Sequence, residues 1–261
     1  MINVNSLNFN YKNIPIFENF NWSVRAGDSW VVLGPSGCGK STLLSLLAGL
    51  RFAASGIISI NNEPITRPRP RTGLILQDYG LLPWATVRQN VGLGLAVRTF
   101  YGADGIHAPR TPSLESNVDY WLDRLGLNEV ASKFPGQISG GQRQRTAIAR
   151  TLVLKPNLLL MDEPFSSLDT PTREALQSLT RGLIAEQGMT LIMVTHSIDE
   201  AVLLGSNILL LNEPPNRVAN TFNNPLAGTP AHRESKEYQS LCRELRMQMG
   251  LMLPLQNQES K

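Results

Sequence analysis

Gly34-Pro35-Ser36-Gly37-Cys38-Gly39-Lys40-Ser41-Thr42 is the stretch that decides the fold, because it satisfies G-x-x-x-x-G-K-[ST] where one periodicity gives way to another. Before it, Trp30-Val31-Val32-Leu33 is a short continuous apolar run that reads as a buried strand ending at the first glycine. After it, Leu43, Leu44, Leu46 and Leu47 recur at helical spacing, and the pattern stops near Gly49. Strand, glycine loop, helix is a phosphate-binding unit: glycines let successive N–H groups converge on one anion, and the helix adds the positive end of its dipole. Lys40 would reach the β- and γ-phosphates of a nucleoside triphosphate as a point charge. Ser41 would place its hydroxyl on Mg²⁺, and Thr42 would bond an α-phosphate oxygen. A plain glycine-rich turn is the alternative, which the flanking strand and helix disfavour.

Outward from this loop, Met1 to Asn13 alternates apolar and polar residues as a strand does, and Gly56 to Ile60 and Gly73 to Leu76 read as further strands on either side of the proline-rich Pro64 to Arg71. From Val87 to about Pro156 the pattern is mostly helical, interrupted by Gly102 to Pro112, whose turn residues predict a flexible insertion. Asn157 to Met161 and Thr190 to Thr195 are continuous apolar runs, expected of strands covered on both faces in a parallel sheet, with a helix over Thr172 to Gln187 between them. The tail is expected to be helical over His232 to Met249. The pattern is an α/β core interrupted by a helical lobe.

A second chemical element ends the first of those late strands. Leu158-Leu159-Leu160-Met161 runs into Asp162-Glu163, and strand alternation points the two carboxylates in different directions. Asp162 is expected to hold Mg²⁺ through its water shell, and Glu163 to orient or deprotonate the attacking water. A solvated strand end is the plain alternative.

The composition excludes several other classes. The chain has 261 residues, 42% of them hydrophobic, and 24 basic against 21 acidic residues leave a net charge of +3 with no Lys or Arg run long enough to form a nucleic-acid footprint. Cys38 and Cys242 stand far apart with no second thiol or histidine at metal-ligand spacing, so neither a disulfide framework nor a zinc site is indicated. The apolar runs, such as Leu158 to Met161 and Ile208 to Leu211, fall far short of a bilayer span.

Ser139-Gly140-Gly141-Gln142, preceded by Ile138 and followed by Arg143-Gln144-Arg145, resembles the signature motif of ATP-binding cassette (ABC) ATPases. The other family motifs follow in order: Gln77 after a strand, Ser166-Ser167-Leu168-Asp169 after the carboxylates, and His196 after the next strand. The resemblance covers nearly the whole chain. It implies a P-loop NTPase (RecA-like) core over 1–76 and 155–224, with an antiparallel β-subdomain, an inserted α-helical subdomain over 77–154 and a tail over 225–261. It further implies that two copies, or this chain and a second cassette, pair head to tail with ATP between the loop of one and the signature of the other.

Residue by residue, the resemblance makes Tyr11 the aromatic that stacks on adenine, with an exposed strand-end tyrosine as the alternative. The loop residues Gly34, Pro35, Ser36, Gly37, Cys38, Gly39, Lys40, Ser41 and Thr42 hold the phosphates, and Ser139, Gly140, Gly141 and Gln142 cap the γ-phosphate of the other copy. Gln77 resembles the residue that reaches Mg²⁺ and the water, so that the metal set is Ser41, Gln77 and Asp162. His196 resembles the switch histidine at the γ-phosphate, against a capping or core histidine. Glu163, His196, Gln77 and Lys40 form the catalytic set. Asp169 resembles a residue that crosses the dimer interface, although a helix N-cap before Pro171 also explains it. Cys38 occupies a variable loop position, where a small spacer is expected rather than a redox switch. Its oxidation or alkylation is expected to crowd the phosphates, so that thiol reagents inhibit unless ATP is bound.

Gln77 to Asn90, QDYGLLPWATVRQN, resembles the corresponding segment of the nitrate, sulfonate, taurine and bicarbonate importers. That likeness implies an ATPase subunit on the cytoplasmic face of the inner membrane, docked to membrane-spanning permease subunits and served indirectly by a solute-binding protein, with Trp84 at the partner contact. Helical-lobe core is the plain reading of Leu81, Leu82 and Trp84. An exporter or lipoprotein-release ATPase, or a soluble non-transport ATPase, would share the nucleotide residues.

Overall fold

The structure is a computed structural model that describes residues 1–101, 115–225, 227–228 and 235–250. These divide into two compact units, the first comprising 1–66 with 192–261 and the second 67–191.

The first unit opens with two long strands, β1 (Ile2–Tyr11) and β2 (Ile14–Val24), paired antiparallel with Ile2 opposite Val24 and Tyr11 opposite Ile14. The alternation expected at the N-terminus is real, since Ile2, Val4, Leu7 and Phe9 are buried while their neighbours are not. The strand β3 (Ser29–Leu33) then runs into the glycine loop, and α1 (Lys40–Leu47) follows it. Leu43, Leu44, Leu46 and Leu47 are all buried, each stabilising the fold by about 2 kcal/mol relative to exposure. The short strands β4 (Ser55–Ile60) and β5 (Glu63–Pro64) complete an antiparallel four-stranded sheet in the order β2-β1-β4-β5. This is the antiparallel subdomain that the family resemblance implies.

The second unit begins with β6 (Thr72–Ile75) and continues through α2 (Val87–Tyr101), α3 (Glu115–Arg124), two single 3₁₀ turns at Asn128–Val130 and Pro135–Gln137, and α4 (Gly140–Leu152). The strand β7 (Leu158–Asp162) returns parallel to β6, pairing Thr72 with Leu158 and Ile75 with Met161. The helix α5 (Thr170–Gln187) carries Pro171 in its first turn and ends at Gly188 in the left-handed conformation, both standard helix punctuation.

The chain passes back into the first unit along β8 (Thr190–Thr195), all six residues of which are buried. There α6 (Ile198–Leu204), β9 (Asn207–Leu210) and β10 (Asn220–Asn223) follow, with β9 parallel to β3 and antiparallel to β10. The parallel pairs β3–β9 and β6–β7, with helices between their strands in sequence, make the core α/β as expected. The helix α7 (Lys236–Gly250) packs on α6, where Tyr238 Oη donates to Asp199 at 3.0 Å and the buried Cys242 lies beside it.

The helix α2 runs on through Thr99, whose hydroxyl donates to the Leu95 carbonyl, up to the edge of the expected insertion. The expected insertion, Gly102 to Pro112, lies outside the described residues, as does part of the tail after Pro225. Among the described residues no helix is long and apolar enough to cross a membrane.

Candidate nucleotide-binding site

In the first unit the phosphate loop spans the gap between the C-terminal end of β3 and the N-terminus of α1. Gly39 caps the helix with φ 107°, a conformation that needs glycine, and a Cβ there would strike the Ile16 side chain at 2.7 Å. Lys40 is 6% exposed, and its ammonium donates to the Gly34 and Pro35 carbonyls at 2.9 and 2.8 Å. The loop thereby closes on its own lysine, and the charge is held at the loop by two of its three donors. Ser36, Gly37 and Ser41 are exposed, and Thr42 is half-buried.

Cys38 is the small spacer expected, and its burial speaks against the expected sensitivity to thiol reagents. Its side chain is 1% exposed and lies against Gly34, where an added Cβ would meet its Sγ at 2.7 Å. Burial pushes the Cys38 thiol up, an effect that the charge of Lys40 partly opposes. The thiol is a packed spacer under the loop, held neutral and away from reagents.

Tyr11 ends β1 at 40% exposure, with the guanidinium of Arg51 4.7 Å from its ring centroid and Phe9 edge-on at 5.4 Å. An aromatic ring this exposed is available for stacking on a flat ligand. His196 is exposed at the end of β8, and its turn is rigid. Thr195 Oγ1 donates to the buried Glu200 at 2.6 Å and accepts from the Ser197 amide, while Ser197 caps α6 by accepting from the Glu200 amide. Glu200 is thus a supporting residue that the sequence pattern did not reveal.

In the second unit, Asp162 and Glu163 are half-buried at the end of β7, and Glu163 has φ 43°. A left-handed conformation in a residue with a side chain is strained. It is secured by Ser166, whose amide and hydroxyl both donate to the Glu163 carbonyl. Asp169 caps α5 by accepting from the Thr172 amide at 3.2 Å, and hydrogen bonding from Thr172, its side chain first and its amide second, holds the carboxyl below the usual range. The N-cap reading of Asp169 is therefore real within one chain.

Gln77 is exposed just beyond β6, and the turn after it is tightly fixed. The half-buried Arg150 of α4 donates to the Gly80 carbonyl at 2.6 Å and the Tyr79 carbonyl at 2.8 Å. Next along the chain, Asn90 is fully buried and staples the LLPWAT segment: its amide donates to the carbonyls of Leu82, Ala85 and Thr86 and accepts from the Leu82 N–H. Trp84 is carried on this staple at 73% exposure. Asn90 and Tyr79 stood inside the segment singled out in the sequence, but their bonds are visible only in the fold; Arg150 gave no signal at all.

Ser139 is the N-cap of α4 in a capping box. Its hydroxyl accepts from the Gln142 amide at 3.2 Å, and the Gln142 side chain accepts from the Ser139 amide at 2.9 Å. The expected helix start is present, with Gln142 used in the cap. Gly141 is also structural, since a Cβ there would meet the Thr172 methyl of α5 at 2.7 Å.

The family model described as ABC transporter matches residues 17–166. The chain is 37% identical over 235 residues to the aliphatic sulfonates import ATP-binding protein SsuB of Bacillus cereus (strain ZK / E33L), spanning 90% of this chain and 88% of that protein. It is 40% identical over 218 residues to the taurine import ATP-binding protein TauB of Yersinia pestis bv. Antiqua (strain Antiqua), spanning 84% and 82%. Among solved structures, the dimeric post-hydrolysis state of the ATP-binding cassette MJ0796 bound to ADP and Pi superposes with a TM-score of 0.73 at 28% identity, covering 85% of this chain and 98% of that one.

Proposed function

This chain belongs to the ABC transporter family, and from that premise we propose that it is the ATP-binding and ATP-hydrolysing subunit of an importer for a small sulfonate-like solute. The single observation that carries the reading is the extended likeness to import subunits, 37% and 40% identity over 90% and 84% of the chain, which includes the loop around Lys40 and the capped signature helix at Ser139.

In this reading Tyr11 stacks on adenine and the 34–42 loop holds the phosphates, with Lys40 supplying positive charge where two loop carbonyls already hold it. Glu163 orients and deprotonates water from a backbone that its Ser166 bonds keep in place. His196 contacts the γ-phosphate from a turn fixed by Glu200. Ser139, Gly140 and Gly141 face the nucleotide of a second copy, with α4 adding its N-terminal dipole. Asp169 serves its own helix as cap and the paired copy as a contact.

Magnesium suits these residues. Ser41, Gln77 and Asp162 each offer a hard oxygen donor of the kind this ion takes, alongside water and substrate phosphates. When bound, it neutralises charge on the phosphates.

The functional organisation we infer is a nucleotide-binding core over 1–76 and 155–224, a helical lobe over 77–154 and a tail from 225. The lobe presents Trp84 to a permease subunit, an exposed apolar anchor on a rigid staple. ATP-driven pairing of two cassettes moves the permease, and hydrolysis reopens the pair. The assembly stands at the cytoplasmic face of the inner membrane and receives solute from a binding protein. Right-side-out membrane vesicles that contain this chain and its permease, enclose ATP and are supplied with the binding protein outside are expected to take up labelled aliphatic sulfonate or taurine. ATP-driven export, or no association with a permease, would overturn the importer reading.

A further inference from the structure

The phosphate loop rests on a floor made by two distant segments, β2 and the turn after β9. Leu211 continues from β9, its amide donating to the Leu33 carbonyl, and its own carbonyl lies 2.6 Å from where a Gly34 Cβ would be. At the other end of the loop, Gly39 sits on Ile16 and Phe17 of β2. One buried side chain ties these pieces together. Asn216, 3% exposed, donates from Nδ2 to the Cys38 carbonyl at 2.8 Å and to the Ile16 carbonyl at 3.3 Å. Its Oδ1 accepts from the Asn212 amide at 2.9 Å, and its backbone exchanges bonds with Ile16 and Glu18.

We propose that Asn216 is a positioning residue for nucleotide binding, which sets the direction of the Gly39 amide by anchoring the Cys38 carbonyl. In a trans peptide the C=O and the following N–H point opposite ways. With the Cys38 carbonyl tied down to the floor, the Gly39 N–H is turned up, to the side on which the loop holds phosphate. The anchor is needed because of the glycine. A peptide unit followed by glycine flips at little steric cost, since glycine accepts either sign of φ. A flipped Cys38–Gly39 unit would present a carbonyl oxygen to an anion in place of a donor. Asn216 is thus the device that lets the loop keep the glycine it needs at φ 107° without losing the amide's direction.

The inference rests on the 34–42 loop being the phosphate site. The experiment is calorimetric titration of the purified full chain with MgATP and MgADP, with thermal melting and steady-state kinetics alongside. Asn216→Ala is expected to weaken both nucleotides about ten-fold, the scale of one lost charge-assisted hydrogen bond. KM should rise in step while kcat stays within about two-fold of the parent, because the reacting groups are untouched. Should Asn216→Ala fail to fold, Asn216→Ser, which keeps a small donor and acceptor, takes its place with the same expectation. A variant that melts earlier yet binds both nucleotides as tightly as the parent would show Asn216 to be structural only, and the proposal would fall. Lys40→Ala separates the two levels. If it leaves ATP affinity unchanged, the loop reading itself is wrong; if it abolishes binding while Asn216 variants bind normally, only the Asn216 proposal is lost.

Discussion

Tyr79 and Ser167, 88 residues apart in the chain, meet hydroxyl to hydroxyl at 2.8 Å. The contact joins the turn after Gln77 to the segment after Glu163, and Arg150 clamps the same turn by its backbone. Two motifs that are separate in sequence are therefore one mechanical piece inside the second unit.

Tyr79→Phe removes that bond and leaves the ring. The expected cost is about 1 kcal/mol, since one neutral hydrogen bond is lost, and a melting temperature lower by roughly 2–4 °C. Arg150→Met should cost more, because two part-buried carbonyls lose a charged donor. Thermal denaturation of the three proteins checks the order; equal stability of all three would show the clamp to be idle.

Glu163→Gln keeps the shape of the side chain and removes its basicity. Steady hydrolysis should fall by about two orders of magnitude or more while ATP binding persists. Gel filtration with ATP is expected to show a stable pair that the parent chain forms only briefly. A variant that turns over at the parent rate would remove Glu163 from the role of base.

Trp84→Ala should leave the isolated chain within about 0.5 kcal/mol of the parent and its basal ATPase intact, because the side chain is 73% exposed. Its effect belongs to the complex, where co-purification with the permease should be lost. Asn90→Leu is the contrasting change. It abandons three carbonyls and one amide, so it should destabilise the chain itself by several kcal/mol. Unimpaired assembly and transport by Trp84→Ala would refute the docking role.

Both cysteines are buried, and burial pushes each thiol up. Titration with an aromatic disulfide reagent should find two reactive thiols in denaturant, and native rates slower by about two orders of magnitude. The pH dependence has a definite sign. A raised thiol remains neutral in the folded chain where the unfolded chain ionises, so its contribution to stability is complete below the ordinary thiol range and is lost as pH rises through the folded value. Rapid native labelling of Cys38 near neutral pH would contradict its placement.

Much of this protein is legible without coordinates, and the reason is locality. The loop from Gly34 to Thr42, the strand before it and the leucines after it are consecutive, and their chemistry follows from backbone amides and a helix terminus built by the same few residues. The same holds for the capped helix at Ser139 and the apolar strand leading to Asp162 and Glu163. What only the tertiary structure decided is how those pieces are braced. Asn216 under Cys38, Arg150 against Tyr79 and Gly80, and Thr195 on Glu200 are single polar side chains whose meaning is the partner they meet. For the first two, that partner is a backbone carbonyl, a group every residue carries, and so leaves no mark in the sequence. The fate of Cys38 shows the same division. Its position in the loop could be read directly, but whether its thiol faced phosphate or core depended on which atoms packed beside Gly34, and these include the Leu211 carbonyl from the far end of the chain.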